Sequence, residues 1–324
     1  MESFNRAWEV PESKLAAMNL VGLHHITMIT GDAPKNVEFY AGVLGLRLVK
    51  KTVNFDQPDA YHLYFGDEQG SPGSILTWFE FAGASQGRPG VGDIHTIRLG
   101  VPTEESLGFW SDRLSAWDYP AERGERTLTF EDYDGLRFEL AVAQDGNPPL
   151  RAEHPDVPPA HAIVGIEGAR AYGTYANVEE RLLTETLGFT HLGDGEYRLD
   201  GSARHFHWAY DAPPATRGVQ GAGSVHHIAW ASQDGDHLAW QQRVRDAGGF
   251  VTDVRDRDYF RSIYFREPRG ILFEIATLSP GFAVDEDPAH LGESLRVPKM
   301  HEHLRERLER TLTPVENPRA RQRG

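Results

Sequence analysis

Short runs of alternating apolar and polar positions recur along the chain, and two of them open on a histidine pair. Residues 23–30 read LHHITMIT and residues 225–232 read VHHIAWAS, and their alternation predicts a β-strand for each. A segment with helical spacing follows each run, at residues 33–45 and 235–249, and both segments end at glycine, as helices commonly do. Three further strand-like runs come after each helix. Both regions therefore predict the same β-α-β-β-β unit.

Two fainter copies of this unit lie between the first and the last. Their opening strands are predicted at residues 93–101 and 168–176, and their helices at residues 104–117 and 178–187. The repeat therefore predicts an α+β fold of four βαβββ modules. A single module leaves one face of a small sheet uncovered. We therefore expect the modules to pair into two curved-sheet barrels, which would enclose a cavity suited to a small molecule.

A stretch rich in proline and polar residues, 144–160, marks a boundary between two halves of the chain. We expect an N-terminal half, residues 1–150, that contains two modules. The C-terminal half, residues 151–324, would contain the other two modules, a helix at residues 299–311 and a polar tail. The length of 324 residues agrees with two domains.

The composition limits the chemistry that the chain can carry. Cysteine is absent, which excludes disulfides, thiolate metal sites and cysteine nucleophiles, so a bound metal would need histidine and carboxylate ligands. The formal net charge of −15 argues against nucleic acid as a partner. No apolar run reaches the length of about 18 residues that a membrane span needs, and the N-terminus lacks the features of a secretory signal. We therefore expect a cytoplasmic protein that acts on a small molecule.

The repeat identifies three candidate metal ligands. His25 and His227 hold the same position in the first strands of modules one and four. Strict alternation sends one histidine of each pair to each face of the sheet. We choose the second, because the isoleucine after it then joins the apolar residues on the helix-covered face. Aligned glycines place Glu274 in the last strand of module four where module one has Thr77. A carboxylate in the apolar run ILFEIAT must be paired, protonated or bound to metal.

Two histidines and one carboxylate are the ligands typical of non-haem Fe(II) oxygenases, in which substrate and O2 take the remaining positions. Mn(II) suits the same ligands, so the metal stays open between the two. A lone histidine on an apolar strand is usually a core or surface residue, but here two recur at equivalent positions together with a buried glutamate. Two other clusters lack this support: His205 with His207, and His95 with Glu139, the module two counterparts of the chosen ligands.

Several of these segments together resemble a known superfamily. The runs LHHIT, VEFYAGVLGLRLVKKTVNFD, VHHIAWA and RDRDYFRSIYFREPRGILFEIAT are similar to those of the vicinal-oxygen-chelate superfamily, and within it to the ring-cleaving dioxygenases of the hydroquinone 1,2-dioxygenase type. The resemblance extends over residues 21–280. It implies that modules one and four form a metal barrel and modules two and three a second barrel. It also implies Fe(II) binding by His25, His227 and Glu274.

The same resemblance implies five further active-site residues, which are His24, His226, Thr27, Arg257 and Tyr264. A neighbouring histidine such as His24 would receive or relay a proton. Arg257 would stabilise negative charge on an oxygen, and Tyr264 would orient a ring hydroxyl. A salt bridge for Arg257 and cross-strand packing for Tyr264 are the structural alternatives. The implied partners are a small aromatic substrate and O2, and formation of a homo-oligomer is left open.

Two other functions fit the fold that the resemblance implies. A glyoxalase-like isomerase or lyase would use Zn(II) or Ni(II) and usually a fourth protein ligand, and Thr77 stands where that ligand would come from. A metal-free protein that binds quinones or drugs would typically have lost the metal ligands, which this chain keeps. The leading prediction is an Fe(II)-dependent, ring-cleaving dioxygenase of the extradiol type, acting on a hydroquinone or a related dihydroxylated aromatic.

Overall fold

Four βαβββ modules make up the described part of the chain, as the repeat predicted. The computed structural model describes residues 18–174 and 181–319. Its strands are, in chain order, β1 (Gly22–Thr30), β2 (Arg47–Val53), β3 (Tyr61–Gly66), β4 (Ile75–Glu80), β5 (Ile94–Val101), β6 (Ala121–Arg123), β7 (Thr127–Glu131), β8 (Arg137–Val142), β9 (Ile166–Tyr172), β10 (Phe189–Gly193), β11 (Glu196–Asp200), β12 (His205–Asp211), β13 (Val225–Ser232), β14 (Arg255–Asp256), β15 (Arg261–Arg266) and β16 (Leu272–Thr277).

A helical segment separates the first two strands of each module. The α-helices are α1 (Ala33–Val37), α2 (Glu104–Ala116), α3 (His237–Asp246) and the C-terminal α4 (Arg305–Thr311). Among the described residues, two segments are π-helical, Glu38–Val43 after α1 and Leu182–Thr186 in module three. Four more are 3-10 turns, Asp234–Asp236, Phe282–Val284, Pro288–His290 and Lys299–Leu304. The predicted helix at 178–187 is therefore described only in part, because residues 175–180 lie outside the described ranges.

Local sequence explains where these helices begin. Asp32 precedes α1 and its side chain accepts a hydrogen bond from the backbone N–H of Lys35, with Pro34 in the first turn. Thr103 caps α2 in the same way, by accepting from Ser106 N–H. Such caps satisfy backbone donors that have no partner within the helix. In modules one and two the sequence therefore starts the helix soon after the first strand, whereas α3 begins without a side-chain cap.

The sixteen strands of the described chain form two curved sheets of eight. Modules one and four share the first sheet, in the order β14-β15-β16-β13-β1-β4-β3-β2, and modules two and three share the second, in the order β10-β11-β12-β9-β5-β8-β7-β6. The modules of each sheet join through antiparallel pairing of their first strands, β1 with β13 and β5 with β9. Each sequence half thus gives one module to each sheet. The division into residues 1–150 and 151–324 stays a prediction about the sequence.

No helix among the described residues is long and apolar enough to cross a lipid bilayer. Residues 1–17, on which most of the argument about a secretory signal rested, lie outside the described ranges.

The main hydrophobic core includes the helix-covered side of the first sheet, and a smaller, separate cluster contains Tyr64 and Phe260. Ile26 and Ile228 pair across β1 and β13 and are fully buried, as the choice of strand face predicted. They belong to one core cluster with Tyr40 from the first π-helical turn and Trp78 from β4, whose rings lie 3.8 Å apart. Burial of these side chains fixes the register of the two central strands.

The segment after β16 folds back along β2, an edge strand of the first sheet. The backbone N–H of Arg296 donates to the carbonyl of Lys51 at 2.8 Å. The ammonium group of Lys50, which is fully buried, donates to Asp285 at 2.6 Å and to Glu286. The segment therefore covers a sheet edge that would otherwise be exposed, and it supplies the negative charges that pair with the buried Lys50.

The turn between β7 and β8 connects the two sheets through buried polar contacts. Tyr40 OH donates to Asp132 at 2.6 Å, and Thr30 Oγ1 donates to Asp134 at 2.7 Å. Burial raises the pKa of Asp132 to about 7, although the hydrogen bonds from Tyr40 and from the backbone of Leu136 act in the opposite direction. In the folded chain the carboxyl group of Asp132 therefore stays protonated at pH values well above those at which an aspartate ordinarily ionises.

This raised pKa predicts a pH dependence of folding stability. Between the ordinary pKa of 3.8 and about 7 the folded chain binds one proton more than the unfolded chain at Asp132, so the free energy of unfolding falls as pH rises through that window. The expected loss is roughly 4 kcal/mol over the whole window, of which roughly 3 kcal/mol falls between pH 5 and pH 8. Asp132→Asn should remove this part of the slope in urea unfolding at pH 5 and pH 8. The exposed Asp112 on α2 offers the control Asp112→Asn, and an unchanged slope in Asp132→Asn would contradict the argument.

Candidate metal centre

The pairing of β1 with β13 brings the two halves of the site together. In register, Thr27 lies opposite His227, and Ala229 lies opposite His25. On its other side Ala229 pairs with Glu274 in β16. Residues that lie directly opposite each other on antiparallel strands project on the same side of the sheet. His25 and His227, which are 202 residues apart in sequence, therefore meet on one face.

Three side-chain atoms converge at this point. His25 Nε2 lies 3.3 Å from His227 Nε2 and 3.4 Å from Glu274 Oε2, and His227 Nε2 lies 2.9 Å from the same oxygen. All three residues are buried, and among the described residues they form the one group of histidines and carboxylates close enough to hold a metal ion. Ligands about 2.1 Å from an ion and at right angles to each other would stand about 3 Å apart, so the spacing fits one ion.

The hydrogen bonds of Glu274 support the same conclusion. Ser262 Oγ donates to Glu274 Oε1, whereas Oε2 is buried and accepts no well-aligned hydrogen bond. Burial opposes ionisation of this carboxyl group, but His25 and His227 more than offset it and hold the pKa of Glu274 well below its usual range. An ionised, buried oxygen that faces two ring nitrogens is a donor set suited to a divalent cation.

His24 and His226 lie behind the two candidate ligands. His24 Nδ1 is 2.8 Å from His25 Nδ1, and His226 Nδ1 is 2.7 Å from His227 Nδ1. Burial, followed by the neighbouring ligand histidine, lowers the pKa of each of these two residues to about 3. Neutral His24 and His226 can therefore accept a hydrogen bond from Nδ1–H of the candidate ligand histidine, which leaves its Nε2 lone pair for a metal.

The prediction that strict alternation separates the two histidines of each pair is wrong. The pairing of β1 with β13 shifts register between Leu23 and His25, and again between His227 and Val225. An extra residue at such an irregularity re-aims neighbouring side chains. For this reason both rings of each pair approach one another, one as a candidate ligand and the other as its hydrogen-bond partner.

Module one carries a hydrogen-bonded counterpart to the glutamate. Thr77 occupies the position equivalent to Glu274, and its hydroxyl donates to Thr27 Oγ1 at 3.0 Å. His62 Nε2 lies 2.8 Å from Thr77 Oγ1, and Tyr64 OH lies 2.9 Å from His62 Nδ1. Since Thr77 gives its proton to Thr27, it accepts from His62, whose Nδ1 then accepts from Tyr64. Thr27 therefore anchors this chain of hydrogen bonds and is not part of the cavity wall.

A cavity of about 330 Å³ opens in front of the three converging atoms. Its walls are largely aromatic and apolar, formed by Phe55, Phe79, Phe81, Phe260 and Leu272, and its polar groups include Asn54, Gln57, His62, Tyr64, Arg257 and Tyr264. Cavities of this size that combine apolar walls with a few polar groups bind small organic molecules. The predicted residues His226, Arg257 and Tyr264 line the cavity, whereas His24 lies behind the wall.

Arg257 and Tyr264 form a pair on the module four side. Arg257 Nε donates to Tyr264 OH at 3.2 Å and its Nη2 donates to the exposed Asp56 at 3.1 Å. Burial, with a further contribution from Glu274, raises the pKa of Tyr264. Tyr264 thus keeps its proton and can donate a hydrogen bond to an oxygen in the cavity. Arg257 makes the expected ion pair, but it also faces the cavity.

Sequence analysis missed His62 and Tyr64. The signal was present in the repeat, because YHLYF at residues 61–65 aligns with RSIYF at residues 261–265 and pairs Tyr64 with Tyr264. Burial, together with His25 and His227, lowers the pKa of His62 well below its usual range. A neutral, buried histidine therefore lines the cavity beside the candidate ligands.

The other histidine clusters have separate partners on the second sheet. His95 Nε2 contacts Asp211 at 2.9 Å, and Arg98 donates to Glu139. His207 contacts Asp145 and His205 contacts Asp200. None of these residues belongs to a group of potential metal ligands among the described residues.

Comparison with known proteins identifies the family. The sequence model of the Glyoxalase/Bleomycin resistance protein/Dioxygenase superfamily matches residues 22–140 and 181–275. The chain belongs to this superfamily, and the membership predicted from the sequence is confirmed.

Particular relatives resemble nearly the whole chain. A Bacillus subtilis protein named "Putative ring-cleaving dioxygenase MhqO" is 43% identical over 308 residues, which cover 93% of this chain and 98% of that protein. A Sphingobium indicum protein named "Chlorohydroquinone/hydroquinone 1,2-dioxygenase" is 33% identical over 310 residues and covers 90% of this chain and 95% of its own length. A crystal structure of a "putative dioxygenase" from Bacillus subtilis superposes with a TM-score of 0.86 at 42% identity, over 93% of this chain and 99% of that one.

Proposed function

We propose that this protein is an Fe(II)-dependent, ring-cleaving dioxygenase acting on a hydroquinone or a related dihydroxylated aromatic. The observation that carries the proposal is the cluster of His25, His227 and Glu274 at the end of a cavity with aromatic walls. This ligand set leaves positions on one side of an ion free for substrate and O2. The names of the relatives, one of which is a hydroquinone 1,2-dioxygenase, support the same reaction class.

The reaction balances without an external reductant. The ring bond between a hydroxyl-bearing carbon and the neighbouring carbon breaks, and both atoms of O2 enter the product. The hydroxyl-bearing carbon becomes a carboxylic acid and its neighbour becomes an aldehyde or ketone. Bound Fe(II) would lower the pKa of a substrate hydroxyl and supply the one-electron chemistry that lets O2 react with the ring.

The chain's own residues account for binding and proton movement. The phenylalanine walls hold the ring and exclude water, which strengthens the polar interactions within the cavity. Tyr64 OH donates a hydrogen bond to His62 Nδ1, so a proton that a substrate hydroxyl loses can pass through Tyr64 to this nitrogen. Because the pKa of His62 is lowered, the nitrogen would hold that proton only transiently. Tyr264 OH can donate to an oxygen on which negative charge develops, while Arg257 holds the phenol in place from its other side.

An isomerase of the glyoxalase type is disfavoured by the hydrogen bonds of Thr77. Its hydroxyl is engaged with Thr27 and His62, and it carries no negative charge. The position from which a fourth ligand would come therefore holds a neutral side chain that is already satisfied. Retention of two histidines and one glutamate likewise disfavours a metal-free binding protein.

Oxygen uptake tests the proposal. Protein reconstituted anaerobically with Fe(II) and then mixed with hydroquinone and air-saturated buffer should consume one O2 for each molecule of ring-opened, ultraviolet-absorbing product. The dimethyl ether of hydroquinone, which has no hydroxyl to lose a proton, should give no uptake. Absence of turnover with every hydroquinone and catechol tried, together with activity on a glutathione hemithioacetal, would favour the isomerase instead.

A further inference from the structure

A second cavity of about 330 Å³ lies on the far side of the His226–His227 pair. It is found at the seam between the two sheets, where the connections around residues 91–94 and 217–220 meet the ends of β13, β15 and β16. His226, His227 and Leu272 line both this cavity and the cavity described above. The wall between them is therefore a single layer of side chains, part of which belongs to the candidate metal centre.

Two arginines supply positive charge to this second cavity, the back cavity. Arg217 and Arg266 line it and are exposed to solvent. Within residues 18–174 and 181–319, neither guanidinium group makes a direct ion pair with a carboxylate, and Arg266 donates to the carbonyl of Gly270. Asp93 also lines the cavity, and its carboxylate accepts a hydrogen bond from Gly90 N–H at 2.8 Å. Burial raises the pKa of Asp93, and the nearby charge of Arg266 opposes that rise. The cavity therefore holds two guanidinium groups and one carboxylate, an excess of positive charge in a chain with a net charge of −15, and guanidinium groups bind carboxylates well.

The two cavities differ in the ligand that each would favour. The cavity beside the candidate metal centre, the front cavity, has aromatic walls, and its arginine, Arg257, is already paired with Asp56. These walls suit an uncharged hydroquinone. Ring opening turns a hydroxyl-bearing carbon into a carboxylic acid, which loses its proton near neutral pH. The reaction therefore converts a neutral molecule into an anion, within one side-chain layer of two arginines.

We propose that the back cavity binds the carboxylate of the ring-opened product and provides its route of release from the metal centre. This inference rests on the proposed function. Arg217 and Arg266 attract the new negative charge, while the front cavity remains suited to the next neutral substrate. Leu272 and the His226 ring form the partition that the product passes.

Equilibrium binding of cis,cis-muconate, a ring-opened dicarboxylate, tests the site without turnover. Calorimetry on the Fe(II)-loaded protein under argon should detect binding, and the double variant Arg217→Gln/Arg266→Gln should weaken it about tenfold. Arg310→Gln, which changes an exposed arginine on α4, should leave the affinity unchanged. Iron content should be the same in all three proteins. Equal affinity in the double variant, or no binding to the parent, would overturn the proposal.

Steady-state kinetics decide whether the natural ligand of the back cavity is the product or a substrate that carries a carboxylate. With hydroquinone, the double variant should show product inhibition that is weaker by about tenfold, at an unchanged KM. If the double variant instead raises KM for 2,5-dihydroxybenzoate and leaves muconate binding unchanged, the cavity holds a substrate carboxylate and the product assignment is wrong. Failure of the proposed ring cleavage would appear as no turnover in the parent, a result independent of whether muconate binds through the arginines.

Discussion

Glu274→Gln is expected to abolish iron retention and to lower turnover by at least about a thousandfold. Glu274 is the only anionic member of the cluster, and its Oε2 faces both ring nitrogens. Glutamine keeps the shape and can still accept from Ser262, but it removes the negative charge. Two neutral histidines would then have to hold a divalent cation alone, without the charge that compensates its desolvation.

The repeat supplies a matched control for this variant. Glu139 follows Gly135 in module two exactly as Glu274 follows Gly270 in module four, and it is bound to Arg98 on the second sheet. Glu139→Gln should therefore keep parental iron content and turnover. Iron content is measured after anaerobic reconstitution and desalting. One equivalent of iron in Glu274→Gln, with parental turnover, would remove Glu274 from the ligand set.

His62→Gln is expected to lower kcat by about a hundredfold or more while iron content stays unchanged. His62 lies outside the three-residue cluster but lines the same cavity, and its neutral ring is held by Thr77 and Tyr64. Glutamine can keep one of these hydrogen bonds, but it has no basic nitrogen that could accept a proton even transiently. The loss should therefore appear in the chemical step and not in metal binding.

Parallel measurements of kcat and iron content decide the role of His62. His207→Gln, which changes a half-buried histidine that is paired with Asp145 on the second sheet, is the control and should behave as the parent. Parental kcat in His62→Gln would exclude a role in proton transfer. Loss of iron from that variant would instead make His62 part of the metal centre.

Much of the fold follows from local pattern. Alternating strands, helices that end at glycine and the four-fold repetition predict four βαβββ modules, and aligned glycines predict that Glu274 and Thr77 hold equivalent positions. These features depend on short stretches of sequence, where periodicity and turn residues report directly on structure. The pairing of modules one and four has no such local signal. It came from the family resemblance, because it joins β1 to β13 across about 200 residues.

Details of the site depended on tertiary structure. The register shifts beside His24 and His226 arise only when β1 and β13 pair, so alternation within one strand could not predict that both rings of each pair would meet. His62 could have been found by aligning β3 with β15, but its importance depends on contacts with Thr77 and Tyr64 that the alignment does not contain. The back cavity requires the two sheets to meet, and no single motif indicates it.

Labelling with ¹⁸O2 tests the central claim most directly. Fe(II)-loaded protein and hydroquinone should react in an ¹⁸O2 atmosphere, and rapid reduction with borohydride should trap the new aldehyde before it exchanges oxygen with water. Mass spectrometry should then find one labelled oxygen in the carboxylate and one in the alcohol derived from the aldehyde. A single labelled oxygen in an intact ring, or unlabelled quinone as the only product, would contradict the account.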